Sequence, residues 1–144
     1  MNAEPAERVT LGGLGERGLI RRIRRSAAAR GAAPGVEVGI GDDTAVLAVP
    51  PGHKLLATTD LLIEDVHFRR ISAAPADVGW KALAVNLSDI AAMGGIPRWA
   101  LVALAVPADT DVEAVDAFYA GMAEAAAPHG VTVVGGDTSA SPGG

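Results

Sequence analysis

The run Trp99–Val106 contains no polar side chain and is stopped by Pro107. It is far below the roughly 20 apolar residues that a membrane helix needs, and its bounded length predicts a strand buried on both faces. The segments flanking it have a different period. Upstream, Ala76 to Met93 sets Val78, Leu83, Leu87 and Ile90 on one apolar stripe, with Pro75 near the start and Gly94-Gly95 after the end. Downstream, Asp111 to Ala127 has acidic residues in its first turn and is closed by Pro128 and Gly130. Both read as helices. Val131 to Val134 then predicts a last short strand that runs into Gly135-Gly136-Asp137.

Further upstream, Leu19, Ile20 and Ile23 recur near helical spacing among five arginines between Gly15 and Arg30, with Gly31 and Pro34 as stop signals. Val36 to Val49 and Lys54 to Thr59 read as neighbouring strands split by Pro50-Pro51-Gly52. The order of elements predicts an α+β domain with helices packed on one face of a small mixed or antiparallel sheet. Aromatic residues are only 3% of the chain, so the core has to be built from Ala, Val, Leu and Ile, whose small volumes favour closely packed helices and sheet.

A formal net charge of -5 removes any general attraction to nucleic acid or to an anionic membrane surface. Binding of an anion would then call for metal ions as intermediaries. The absence of cysteine excludes disulfides, thiolate metal sites and a cysteine nucleophile, and agrees with a reducing cytoplasm. Met1 to Thr10 holds Glu4, Glu7 and Arg8 and no signal-like apolar stretch. A soluble, cytoplasmic protein is expected.

Four aspartates, Asp43, Asp60, Asp89 and Asp137, each lie where an apolar run or helix meets Gly, Thr or Ser. Scattered carboxylates of this kind can gather around hard cations and so hold a nucleotide's phosphates. Each also has a plainer reading. Asp42-Asp43 after Gly41 is common turn chemistry, Thr58-Thr59-Asp60 is a strand end rich in β-formers, and Gly135-Gly136-Asp137-Thr138-Ser139 is a hairpin turn. Asn86 and Asp89 are harder to dismiss: both are poor helix formers on one side of a helix, so something polar should face them. A structural network would serve as well as a ligand.

Two familiar phosphate-binding schemes are excluded. Gly13-Leu14-Gly15-Glu16-Arg17-Gly18 fits G-x-G-x-x-G but has no strand before it, and neither Lys54 nor Lys81 follows a glycine or precedes Ser or Thr. Arg21, Arg22, Arg24 and Arg25 wrap around their helix without nearby aromatic residues, as a solvated face would. His67 stands out as a potential substrate contact, whereas His53 and His129 sit in turns. Tyr119, in the last helix, is ordinarily a packing residue whose hydroxyl reaches solvent.

Taken in order, several segments resemble the thiamine-monophosphate kinase family of the aminoimidazole ribonucleotide synthetase-like ATP-binding superfamily. They are Leu14-Gly15-Glu16 with Gly18-Leu19-Ile20, Gly39-Ile40-Gly41-Asp42-Asp43-Thr44-Ala45, Thr58-Thr59-Asp60-Leu61 and Val66-His67-Phe68. Trp80-Lys81-Ala82, Val85 through Gly95, Pro97-Arg98-Trp99-Ala100 and Gly135-Gly136-Asp137-Thr138 continue the series. The resemblance implies ATP-dependent phosphorylation of thiamine monophosphate to thiamine diphosphate by direct transfer. It further implies several Mg²⁺ ions held by Asp43, Thr58, Thr59, Asp60, Asp89 and Asp137. ATP contacts are implied at Tyr119, Gly136 and Asp137, and a substrate contact at His67. A homodimer formed by pairing of the sheet is implied too. Residues 1–144 correspond to the family's N-terminal ATP/Mg-binding domain, and its C-terminal domain is not in this chain. That leaves two alternatives: a catalytically incomplete module that binds Mg-nucleotide and dimerises, and a sibling activity on another acceptor. Asp65 stands where the family often has glycine before Val-His-Phe.

Overall fold

The computed structural model describes residues 9–28 and 33–142. A helical turn α1 (Leu11–Leu14) leads into α2 (Glu16–Ala28), and a small hairpin follows, of β1 (Val36–Val38) and β2 (Val46–Leu47). Next come α3 (Pro75–Ala92), β3 (Trp99–Val106), α4 (Val112–Ala126) with a 3-10 turn at Ala127–His129, and β4 (Thr132–Ala140). The α+β class and the three principal helices are as expected. Of the two stop signals of the first helix, Gly31 lies outside the described residues and Pro34 follows the end of α2.

The single sheet expected from sequence is two two-stranded ones. β1 and β2 pair antiparallel, while β3 and β4 pair parallel over their whole length, joined by α4 as the crossover. Parallel neighbours require such a crossover, and a helix of this length supplies it.

Three expectations are corrected. Lys54 to Thr59 is not a strand beside Val36–Val49: residues 53–63 have no regular secondary structure and join no ladder. Its β-prone residues favour extension, but no described strand pairs with it. β3 is not buried on both faces either. Ala100, Val102 and Leu104 turn inward, whereas Leu101 is 66% exposed, because α3 and α4 cover one face only and nothing described covers the other. Finally, Gly135-Gly136-Asp137 is no hairpin turn. β4 continues straight through it to Ala140, with a register shift opposite Ala100 and Leu101. A Cβ at Gly136 would stand 1.9 Å from the Val102 carbonyl oxygen, so only glycine lets β4 come this close to β3.

The core runs from α2 through α4 to the sheet: Leu19, Leu83, Val102, Val115, Tyr119, Met122, Ala125 and Val131 are buried together. α3 and α4 pack backbone to backbone at Gly79 and Gly121, the close approach that a core poor in aromatic residues permits. α3 starts with Pro75 in its first turn, and the Asp77 carboxylate accepts a hydrogen bond from the Ala74 N–H at 3.0 Å. α2 is tied to α4 by the Arg22–Asp116 pair, at 2.6 to 2.8 Å. Asp116 holds the Arg22 guanidinium above its ordinary value, through the hydrogen bond first and its charge second. The G-x-G-x-x-G match falls across α1, Gly15 and α2, after a helical turn rather than a strand. No described helix is long and apolar enough to cross a membrane.

Candidate functional site

An open cavity of about 1600 Å³ is lined by the segment 53–63, by all of β3 and by parts of α3 and α4. Thr58, Thr59, Asp60, Asn86, Asp137 and Ser139 all contribute to its wall. Residues from three separate stretches of chain therefore line the same cavity. Thr58 and Asp60 arrive on the segment 53–63, Asn86 on α3 and Asp137 on β4. All of the carboxylates proposed from sequence are solvent-exposed, so each keeps oxygen lone pairs available to a ligand.

Their local bonds differ. The Thr58 hydroxyl donates to Asp89 Oδ2 at 2.9 Å, joining two candidate ligands 31 residues apart. Asp89 was expected to need a polar partner on its helix face, and this is that partner. Asn86 is satisfied differently: its side-chain amide donates to the Ala82 carbonyl at 3.0 Å, one turn back. Asp137 accepts from the Ser139 hydroxyl at 2.8 Å, both side chains lying on the same face of β4. Asp43 lies outside the cavity wall, in a turn where the Asp42 carboxylate accepts its N–H at 3.0 Å. That is the plain turn chemistry weighed for this pair. The turn nonetheless rests on β4: an added Cβ at Gly39 would lie 3.7 Å from the Val134 carbonyl, and one at Gly135 would lie 4.0 Å from Ala45 Cβ.

All of these ligand atoms are hard oxygens, which fits Mg²⁺. Among the described residues no three His, Asp or Glu side chains stand close enough to form a ready cage. Mg²⁺ ordinarily keeps several waters and uses one or two carboxylates together with substrate phosphates, so a spread donor set of this kind matches its habits better than those of a caged ion.

His67 sits on a tight turn just after the segment 53–63. Ile63 N–H donates to His67 Nδ1 at 3.0 Å, and His67 N–H donates back to the Ile63 carbonyl at 2.8 Å. A backbone N–H can only donate, so Nδ1 is the bare nitrogen and the ring proton is on Nε2. Asp65 at the tip has φ +62°, which explains why glycine suits this position, and Arg70 pairs with Glu64 at 2.6 Å across the turn. Lys81 Nζ donates to the His67 carbonyl at 2.6 Å. Sequence reasoning missed that contact. The available signals were that Lys81 shares α3 with Asp89 and stands in the Trp80-Lys81-Ala82 segment.

Tyr119 lies apart from this cavity. Its ring packs edge-on to Phe118, centroids 5.4 Å apart, beside a void of about 30 Å³ that Ile23 and Val131 also line. Burial pushes its hydroxyl up to about 12. Gly136, on β4, also lies outside the wall, and its conformation is accounted for by β3. Leu55 and Leu61 on the segment 53–63 are mostly exposed, and with Leu101 they line the cavity.

Comparisons with known proteins give the family and the fold. The family described as AIR synthase related protein, N-terminal domain, matches residues 41–144. The chain is 48% identical over 103 residues to the thiamine-monophosphate kinase of Bacillus subtilis (strain 168), covering 72% of this chain and 32% of that protein. The crystal structure of thiamine-monophosphate kinase from Stenotrophomonas maltophilia K279a superposes with a TM-score of 0.74 at 39% identity, over 94% of this chain and 40% of the other. A structure of AaThiL complexed with AMPPCP and TMP superposes with a TM-score of 0.61 at 41% identity, over 92% and 40%. The chain thus spans about a third of the length of the curated relative.

Proposed function

Because the chain belongs to the AIR synthase related protein family through its N-terminal domain, we propose that it binds ATP with several Mg²⁺ ions and serves the phosphorylation of thiamine monophosphate to thiamine diphosphate. Residues 1–144 are read as the nucleotide-binding domain of that kinase, and the lack of cysteine supports a cytoplasmic setting. The observation that carries the reading is that Thr58, Thr59, Asp60 and Asp137 line the same cavity, with Asp89 bonded to Thr58 at its edge. The complex of AaThiL with AMPPCP and TMP, an ATP analogue and the acceptor, supports the choice of ligands.

In this reaction the terminal phosphoryl group of ATP moves to a phosphate oxygen of the acceptor. The bond to the β-phosphate oxygen breaks, and ADP leaves. No nucleophilic side chain is required, and catalysis rests on positioning and charge neutralisation. When bound, Mg²⁺ supplies the positive charge that lets two anions approach. Asp43, Asp60, Asp89 and Asp137, with the hydroxyls of Thr58 and Thr59, are the groups assigned to hold it. Gly136 leaves the backbone beside Asp137 open to the nucleotide. The nucleotide contact at Tyr119 rests on the resemblance alone, since its buried ring lies in the core apart from the cavity. His67 offers its Nε2–H as a donor to the acceptor phosphate.

A second reading is favoured by the open face of β3 and by the unpaired segment 53–63, with Leu55 62%, Leu61 70% and Leu101 66% exposed. Here the chain is a module that holds Mg-nucleotide and forms a homodimer through that face without catalysing transfer. Three measurements separate the readings: calorimetry with Mg-AMPPCP, sedimentation for the dimer, and product formation from ATP and thiamine monophosphate. Asp60→Asn or Asp137→Asn is expected to weaken nucleotide binding without unfolding the chain, and unchanged affinity in both removes them from the site. Binding without product supports the module, and product with a different acceptor only would point to a sibling activity.

A further inference from the structure

The stretch from Thr58 to His67 carries both kinds of assigned group, the metal side at Thr58, Thr59 and Asp60 and the acceptor side at His67. It belongs to no described strand, and its one backbone bridge, Glu64 to Phe68, is local. Within itself it is closed by the Ile63–His67 bonds and by Glu64 with Phe68 and Arg70, and what ties it to α3 is a pair of side-chain bonds. At one end the Thr58 hydroxyl donates to Asp89, and at the other Lys81 donates to the His67 carbonyl at 2.6 Å. Lys81 and Asp89 are eight residues apart on α3, which is about 12 Å along the axis at 1.5 Å per residue. Lys81 has no carboxylate partner among the described residues, so its ammonium serves the loop.

We propose that α3 acts as a ruler, stapled to this stretch at both ends, and that Lys81 is the positioning residue that sets where His67 meets the acceptor. The proposal rests on the kinase reading for the identity of the acceptor. Its structural half does not. α3 is itself fixed against α4 by the Gly79 and Gly121 contacts, so the staple transmits a rigid reference to a loop whose other bonds are local. A charge-assisted bond from Lys81 fits this task, because it has to persist in an exposed position where neutral bonds exchange readily with water. The two staples act on different ligands. Loosening Lys81 frees the acceptor end, whereas loosening Thr58 frees the metal and nucleotide end.

Imidazole nitrogen spectra of the chain, isotope-labelled at histidine, test the staple. His67 carries its proton on Nε2, whereas His53, whose Nδ1 faces the Pro51 carbonyl at 3.2 Å, must carry its proton on Nδ1, so the two rings are told apart. In Lys81→Met the His67 nitrogens are expected to move toward averaged tautomers, and affinity for thiamine monophosphate to fall about tenfold, the loss typical of one charge-assisted bond. Affinity for Mg-AMPPCP stays at the parent value, and Lys81→Arg restores both readouts. Thr58→Val behaves in reverse, weakening Mg-AMPPCP while leaving the His67 tautomer alone. The proposal is overturned if Lys81→Met keeps the His67 tautomer, or shifts it without changing acceptor affinity. Failure of the unsubstituted chain to bind thiamine monophosphate would count against the kinase reading instead, and the tautomer signal would still decide the staple.

Discussion

Replacing Gly79 by alanine tests the packing that fixes the site's reference helix. In a free helix this change is stabilising by about 1 kcal/mol, because alanine loses less backbone entropy than glycine. Here the added methyl would stand 1.8 Å from the Phe118 carbonyl oxygen and 3.1 Å from the Met122 nitrogen. Ordinary contact begins at 3.4 Å, so α3 and α4 have to part by about 1.6 Å at this point. Both obstacles are backbone, and no side chain can swing aside. Overpacking of this kind costs about 1–3 kcal/mol, and the rigid neighbours place it at the upper end. The net expectation is a loss of about 2 kcal/mol, or about 6–8 °C in melting temperature for a chain of this size. Gly121→Ala should behave alike, since its methyl would meet the Ala76 carbonyl oxygen at 1.8 Å. The double variant should cost less than the sum, because a single separation relieves both clashes. Circular dichroism melts decide the matter. A melting temperature for Gly79→Ala equal to or above that of the parent would refute the close-packed helix pair, and with it the rigidity attributed to α3.

Gly136→Ala should be still more disruptive, by about 3 kcal/mol, since it adds a methyl 1.9 Å from the Val102 carbonyl oxygen at a φ of +141° that other residues avoid; a denaturant midpoint unchanged from the parent would contradict the β3–β4 approach. Tyr119 is the chain's only tyrosine, so its ionisation can be followed by tyrosinate absorbance as a single transition, expected near 12 because burial disfavours the charged form. The sign follows from that shift: the stabilisation is fully present below about pH 10 and is lost as pH rises to about 12, amounting to about 2–3 kcal/mol, and it is absent in Tyr119→Phe. At Asp65, where φ is +62°, glycine should leave the turn intact, whereas valine should destabilise it by about 1–2 kcal/mol; hydrogen exchange at the Asp65 amide, which donates to the Phe68 carbonyl at 2.8 Å, reads this locally.

What the sequence conveyed and what it hid divide along the range of the interactions involved. α3 and α4 were readable because each carries its own stop signals and apolar stripe, and the observed spans, Pro75–Ala92 and Val112–Ala126, differ from the expected ones by a residue or so at each end. The strands were misread wherever a partner decides the outcome. Lys54 to Thr59 has strand composition, but composition cannot supply a neighbouring edge. The uninterrupted apolar run of β3 looked doubly buried because nothing in it marks the face of Leu101 as uncovered. Gly135-Gly136 looked like a turn because glycine signals permissiveness without saying which use is made of it. Here it permits the close approach of β3 to β4.

The site follows the same division. Each aspartate had a local explanation visible in its own segment, and the structure leaves that explanation standing for Asp43. The bond from Thr58 to Asp89 and the bond from Lys81 to His67 span 31 and 14 residues respectively, and neither leaves a local trace in the chain. α3 can therefore be recognised as a helix from its stripe alone, but its service as a common frame for two assigned ends is a property of the fold. The frame is informative because its two contacts are chemically unlike. A neutral hydroxyl meets a carboxylate at the metal end, and an ammonium meets a carbonyl at the acceptor end. Substitutions at the two ends can on that account be separated by ligand, which a general loss of stability could not imitate.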